Sequence, residues 1–574
     1  MDRRTLLALL LSALVIVLTP ILFRRMGWRA PAQTPPPVDT TSVGPPPATS
    51  TPTAAQASTP TTPSPTPGSQ QAPVAARSAG DTTTVSLTKT HYTFATEGAA
   101  PSGVVLDAYP NLSPARRTLP KASLAANLTA SPTAPAPLLR YRVVTGTDTI
   151  SLDTVSFRVE RAGNNAVTFT STAPATTIRY EFANDGYLAH VSGQVSGTAS
   201  TPTQLLIDLP FTLKSQEADT LDDERHLAYG YRPEHEDVKS VLFSKLDPAF
   251  IRTDSGPMTW VAARNKYFLV ALVAPTPASS FTALRMQGGP RINKLAPTAH
   301  ATAIQPMRDG RFAFDMYAGP QDWNQLRAVG HDLENVNPYG GWIPGVQPFA
   351  TICLRVILWM RQTFKVSYGW VLIIFGVCVR LLLWPLNQSA MRSSLKMQRL
   401  QPELQEVQKK YKNEPEKQRE ALVKLYQQHG MSPFSPVMGC LPMLLPMPVL
   451  FALYFVFLNT IEFRGVGFLW LPDLSLRDPY YIMPIFMGVS MFVLSWIGMR
   501  AAPPNPQTKM MSYMMPAVMT MVLLNFASGL NLYYAVQNIA ALPQQLMLTR
   551  ERMKAAPPPV ASTPAPLRGR RATT

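Results

Sequence analysis

Apolar segments of bilayer length return in quick succession from Ser367 onward, and nothing else in the sequence constrains the fold as tightly. They are Ser367 to Leu386, Pro436 to Leu458, Tyr480 to Met499, Met510 to Phe526 and Leu530 to Leu548. A helix needs about 20 apolar residues to cross the hydrocarbon layer, and there only helices or closed barrels satisfy their own backbone groups. Thr5 to Phe23 is a further such run. Arg24, Arg25 and Trp28 follow it instead of a small-residue cleavage site, so it reads as an uncleaved anchor. Trp370, Trp384, Trp470, Tyr480, Tyr481 and Trp496 sit near the span ends, where amphipathic rings favour the headgroup zone. Six transmembrane helices are expected.

Orientation follows the short-loop cations. Arg392, Lys396, Arg399, Lys409, Lys410, Lys412, Lys417, Arg419 and Lys424 place the loop after the second span in the cytoplasm. The next loop carries only Arg464 and Arg477 against Glu462, Asp473 and Asp478, whereas the tail is basic again, so both termini are expected inside. Arg24, Arg25 and Arg29 beyond the first span oppose this and are outweighed by the later loops. Much of the formal +17 charge therefore sits on cytoplasmic faces, where anionic lipids and ribosomal RNA are plausible neighbours.

Composition divides the rest. Residues 1–29 form the anchor, and residues 30–80, dominated by Pro, Thr, Ala and Ser, cannot bury enough apolar surface to offset chain entropy. Short β-rich runs then recur between turn signals over residues 81–335: Arg140 to Val144, Ser156 to Val159, Ala166 to Thr172, Thr177 to Phe182, Leu188 to Val195, Leu205 to Leu209, Trp260 to Ala263 and Tyr267 to Val273. They suggest a large antiparallel sandwich outside the cytoplasm. Residues 336–366 include a helix, Thr351 to Phe364, with Ile352, Val356, Trp359 and Met360 on one side. It lies along the outer interface or extends the next span. Residues 367–550 hold the five later spans and residues 551–574 a basic tail. Within residues 391–430, Met397, Leu400, Leu404, Val407 and Tyr411 repeat at three and four, and Asn413 to Pro415 break the helix. A helical hairpin is expected there, with Glu406–Lys410 and Glu420–Lys424 pairs.

Arg380 falls ten residues after Trp370, inside the second span. An arginine at a helix centre costs about 3 kcal/mol on insertion scales, so it either snorkels to headgroups or faces a wet cavity. No Asp or Glu stands mid-span to pair with it. Thr520, Asn525, Tyr533, Tyr534 and Gln537 are milder polar groups that could line a groove or serve as helix-packing contacts. Met443, Met447, Met514, Met515 and Met519 belong to a methionine-rich region whose flexible thioethers suit either a core or a surface that accepts many sequences. Pro436, Pro442, Pro446 and Pro448 should loosen the third span. Cys353, Cys378 and Cys440 form no CxxC pair, and the spans lack His, a GxSxG serine or paired carboxylates, which argues against a metal site, a cofactor or an enzyme.

The ordered string Tyr339-Gly-Gly-Trp342, Gln347-Pro348, Gly369-Trp370, Val379-Arg380, Pro385-Leu386, Gln401-Pro402, Cys440-Leu-Pro442, Met447-Pro448, Asp478-Pro-Tyr-Tyr481, Met515-Pro516 and Ser528-Gly-Leu-Asn-Leu-Tyr-Tyr534 resembles the YidC family of membrane protein insertases over residues 330–550. The anchor and β domain look like its diderm bacterial arrangement. The resemblance implies a membrane α-helical bundle whose five core spans surround a cytoplasm-open hydrophilic groove, with an all-β periplasmic supersandwich of galactose mutarotase-like type. The resemblance also implies an inner-membrane chaperone that inserts, folds and assembles membrane proteins, alone or with the Sec translocon, without hydrolysing nucleotide.

In that frame Arg380 matches the groove arginine that attracts the hydrophilic leading segment of a nascent chain. Thr520, Asn525, Tyr533, Tyr534 and Gln537 would line the groove, and the five methionines named above would guide the client. Lys396, Arg399, Lys409, Lys410 and Lys412 would meet ribosomes and targeting machinery. Pro446, Ser495, Asn525 and Ala527 depart from the usual family residues. His226, His235 and Glu236 form no convincing sugar or metal site in the β domain. A small-solute transporter is the rival reading; it would call for inverted repeats, and none is discernible.

Overall fold

The computed structural model describes residues 82–114, 125–129, 137–146, 148–183, 186–197, 202–293, 295–337, 339, 343, 345–411, 414–428, 447–500 and 506–555. The anchor, the Pro/Thr/Ala-rich segment and the basic tail from residue 556 lie outside these residues, as do 429–446, which include the third span up to residue 446.

Two antiparallel sheets form the β domain. The smaller runs in chain order through Thr82–Ser86, Thr90–Ala95, Pro101–Pro110 and Ala125–Leu128. The larger has fourteen strands. Period-two alternation is cleanest in Ala175–Phe182, where Thr176, Ile178, Tyr180 and Phe182 point inward and Arg179 and Glu181 pair outside at 2.6 Å. Phe268–Val273 is buried at every position, because it lies mid-sheet between Arg252–Arg264 and Arg311–Pro320. Ala166–Thr172 and Leu188–Val195 have the expected bounds. Ser156 to Val159 slides to Arg158–Arg161, and Trp260 to Ala263 is the end of a strand starting at Arg252. Ala299–Met307 and Arg311–Pro320 went unforeseen. Their Ala, Gly and Pro content reads poorly as strand, yet pairing on both sides holds them in the sheet.

Among the described residues eight longer helices carry the rest: α1 Val346–Phe364, α2 Tyr368–Arg399, α3 Gln401–Lys410, α4 Pro415–Gln428, α5 Met447–Asn459, α6 Ile482–Met499, α7 Pro506–Leu523 and α8 Ser528–Ala555. Among the described residues two windows are long and apolar enough to cross a membrane, Tyr368–Pro385 and Ile482–Met499, and Pro448–Asn459 and Ser512–Leu523 are shorter apolar stretches. Lys365, at φ 54°, ends α1, so α1 is a separate helix and not an extension of α2. Both its faces are apolar. Ile352, Val356 and Trp359 are exposed, while Cys353, Leu354, Ile357 and Met360 are buried. Met360 therefore sits opposite the face assigned to it from sequence.

The α3–α4 hairpin turns where Pro415 opens α4, a position at which its missing N–H is harmless. Lys424 pairs with Glu420 at 2.7 Å, but Lys410 lies over the Tyr411 ring instead of bonding Glu406.

The loop between α5 and α6 is folded tightly against the β domain. Arg464 Nε donates to both Glu217 carboxylate oxygens at 2.9 Å, its Nη2 donates to the Gln216 carbonyl at 3.1 Å, and its guanidinium lies over the Phe268 ring. Asn337 Nδ2 donates to the Asn459 carbonyl at 2.6 Å. The family-like motifs have local reasons here. Asp478 accepts from the Tyr480 and Met483 backbone and from Trp470 Nε1, capping the start of α6. A Cβ on Gly369 would fall 2.1 Å from the Phe468 ring, and one on Gly529 2.5 Å from Phe457.

Candidate functional site

Along the α2–α8 contact, two stripes of residues face each other. On α2 they are Gly376, Arg380 and Trp384, spaced by four; on α8 they are Tyr533, Gln537 and Gln544, spaced by four and seven. Both spacings keep side chains on one helix face. Gly376 lets the helices approach, since a Cβ there would sit 3.0 Å from Val536. Its carbonyl accepts from Gln537 Nε2 at 2.8 Å, and the same amide nitrogen reaches the Tyr533 hydroxyl at 3.0 Å. One turn further, Arg380 Nη2 donates to Gln544 Oε1 at 2.8 Å, and Gln544 Nε2 donates to the Trp384 carbonyl at 3.1 Å.

Arg380 is half-buried. Among the described residues it has no carboxylate within ion-pair distance, and its buried Nε makes no hydrogen bond. A cation so placed keeps its full charge in surroundings that amplify it, which suits it to attract an anion.

The other residues proposed from sequence divide between several places. Tyr533 is buried against Phe375 and Tyr534, and Tyr534 packs its ring in the same cluster with a buried hydroxyl. Thr520 bonds back to the Pro516 carbonyl within α7 and packs on Gly488 of α6, so it is a helix contact rather than a neighbour of Arg380. Asn525 is exposed in the turn between α7 and α8. Sixteen residues of α8 separate Ser528 from Gln544, roughly 24 Å of helix, which puts Asn525 well away from Arg380. The polar face of α8 is thus split: Tyr533, Gln537 and Gln544 turn to α2, while Asn538 donates to Ser490 Oγ at 3.0 Å and Thr549 to the Ile497 carbonyl on α6.

On α7, Met510, Met514, Val518 and Met521 form one exposed stripe, whereas Met515 and Met519 are half-buried. Of the expected client-guiding methionines, Met514 therefore lies on the open face and Met515 and Met519 turn inward. Met443 and the Met447 side chain lie outside the described residues. Lys409 and Lys410 are exposed on α3, and Lys412 and the Lys396 and Arg399 side chains lie outside the described residues. In the β domain His226 Nδ1 meets the Asp222 carbonyl, and Glu236 pairs with Lys239 at the surface.

Gln544 was absent from the sequence reading although it lies seven residues after Gln537 and eleven after Tyr533, a spacing that returns to the same face. The Arg464–Glu217 pair had no such signal, since 247 residues separate its members.

The loop beside the β domain is electrostatically different. Burial, with Asp322 nearby, pushes Glu462 up to about 8. Burial also raises Glu217, with Arg464 pulling it back.

Residues 359–556 match the family described as 60Kd inner membrane protein, and residues 128–351 match the YidC periplasmic domain. The chain is 35% identical over 414 residues to the membrane protein insertase YidC of Chlorobium phaeovibrioides, covering 68% of this chain and 69% of that one. It is 30% identical over 462 residues to the protein of the same name from Chlorobaculum parvum, covering 75% and 74%. Among solved structures, an active YidC insertase crystal structure with its first transmembrane domain resolved is 19% identical with a TM-score of 0.34, covering 81% of this chain and 92% of that one.

Proposed function

The chain belongs to the YidC family of membrane protein insertases, and from that premise we propose that it draws the hydrophilic leading segment of a client into a polar recess at Arg380 while the client's apolar segment enters lipid. Arg380 held by a neutral amide is the observation that carries this reading. Among the described residues no carboxylate takes up its charge, which leaves it to pair with a client carboxylate. The exposed stripe Met510, Met514, Val518 and Met521 supports a path for the apolar segment along α7, because thioethers adapt to many shapes.

The protein crosses the inner membrane six times with both termini in the cytoplasm and the β domain in the periplasm. Loop charges support this topology, and the folded α5–α6 loop supports closure of the recess on the periplasmic side. Ribosomes and targeting machinery meet the basic α3–α4 hairpin, and the Sec translocon cooperates in insertion. Neither step needs a metal, a cofactor or a covalent intermediate.

Insertion into liposomes reconstituted with the full chain tests the mechanism. Arg380→Ala is expected to lower insertion of a client with an acidic leading segment by about tenfold or more, as for loss of a charged hydrogen-bond partner, and Arg380→Lys to retain a large part of it. Equal insertion by wild type and Arg380→Ala overturns the mechanism.

A further inference from the structure

Two adjacent glutamines on α8 face different helices, and their settings differ in kind. Gln545 lies against Gly498 of α6, where a Cβ would come within 2.6 Å of its amide nitrogen. Gln544, only 3% exposed, turns instead to α2 and bridges Arg380 and the Trp384 carbonyl. We infer that Gln544 is a positioning residue for insertion: it holds the Arg380 guanidinium in the recess and, being neutral, leaves its charge available to the client. This rests on the reading of Arg380 as the attractor of the leading segment.

The chemistry of the bridge admits one orientation. A guanidinium only donates and a backbone carbonyl only accepts, so the amide must turn its oxygen to Arg380 and its nitrogen to Trp384. Trp384 stands four residues after Arg380, on the same face of α2. The amide therefore ties two points one turn apart and fixes where the guanidinium lies along the helix. Pro385 and Pro543, each beside one end of the bridge, remove backbone donors from α2 and α8, so the side-chain link joins the helices where each lacks a backbone hydrogen bond.

Charge decides why the residue is a glutamine. Glutamate would fill nearly the same volume and accept the same hydrogen bond, but it would form an internal ion pair of the kind Glu217 makes with Arg464. The amide engages one of the five guanidinium donors and neutralises nothing. The specificity for acidic leading segments thus depends on a side chain that carries no charge itself.

The test uses liposomes containing the full chain and three clients that share one apolar span and differ in an acidic, uncharged or basic leading segment. Gln544→Glu is expected to lower the ratio of acidic to uncharged client insertion roughly tenfold, close to Arg380→Ala, and to raise the ratio of basic to uncharged. Gln544→Leu, which frees the guanidinium without neutralising it, is expected to lower the acidic ratio several-fold with no gain for the basic client. Gln545→Glu places the same charge one residue away and should leave the acidic ratio near wild type.

An unchanged acidic ratio in Gln544→Glu overturns the inference, as does an equal loss for all three clients or an equal shift in Gln545→Glu. If Gln544→Glu fails to accumulate, Gln544→Leu decides, and an unchanged ratio there also overturns it. Loss in Arg380→Ala without loss in the Gln544 variants sinks this inference alone. No effect in Arg380→Ala sinks the attractor reading beneath it.

Discussion

Arg464 in the α5–α6 loop and Arg380 in α2 are both withdrawn from bulk water, but their partners differ by one charge. Arg464 meets the Glu217 carboxylate, with side-chain exposures of 2% and 7%, and spends a further donor on the Gln216 carbonyl. Arg380 meets the Gln544 amide and keeps a buried Nε unused. The first arrangement is closed and joins two parts of the molecule; the second is open and suited to a transient anion. For an arginine out of water, the charge of its partner decides whether its own charge is neutralised within the protein.

The sharpest way to break that contrast is to exchange the consequences of mutation. Arg464→Ala leaves the Glu217 carboxylate buried without its cation, and about 3–5 kcal/mol of stability should be lost in denaturant unfolding of the full chain. Pairing Arg464→Met with Glu217→Leu should recover most of that. Arg380→Ala should change stability by no more than about 1 kcal/mol while insertion falls, because a single hydrogen bond is lost and a desolvated charge is relieved. If Arg380→Ala unfolds the protein as readily as Arg464→Ala, the distinction fails.

A second test concerns pH near Arg464. Glu462 rises from 4.5 to about 8 through burial and the proximity of Asp322, with Tyr109, Tyr339 and Tyr368 also close enough to feel it. The folded state then holds a proton that the unfolded chain releases above about 4.5. This contribution is complete below that value and declines as pH rises to about 8, with a slope of at most about 1.4 kcal/mol per pH unit. Glu462→Gln should flatten that part of the stability profile in unfolding curves taken across the window; an unchanged slope would remove Glu462 from the account.

Smaller effects refine the picture of the loop. Gly369→Ala drives a methyl group into the Phe468 ring, 2.1 Å from the position a Cβ would take, and should cost about 1–3 kcal/mol, read as a lowered unfolding midpoint. Lys424→Ala on the hairpin removes an exposed, solvent-screened pair with Glu420 and should leave the unfolding midpoint essentially where it is. A large loss there would mean that the hairpin surface is more than solvated.

Legibility from sequence followed the range of the interactions. The break before α4 was visible because Pro415 acts on its own backbone, and the alternation of Thr177 to Phe182 because one face of that strand is wet. Ala299–Met307 was not, because its strand state comes from partners on both sides and not from its residue types. In the candidate site, Arg380, Tyr533 and Gln537 were chosen as intramembrane polar groups, and the structure places them on one contact. Thr520 and Asn525 were chosen by the same rule and lie elsewhere, since polarity does not say which helix face looks to which neighbour.

The sequence by itself determined the apolar segments, the mid-span cation with no acid at its own level, and the strand-rich composition of the extracytoplasmic half. These follow from transfer free energies and local backbone preferences, which act residue by residue. The tertiary structure alone decided that Gln544 meets Arg380, that Gly376 permits the approach, and that Glu217 closes over Arg464. Each depends on which surfaces a folded chain brings within about 3 Å, across separations of up to 247 residues, and hydrogen bonds of that range leave no periodic trace in a sequence.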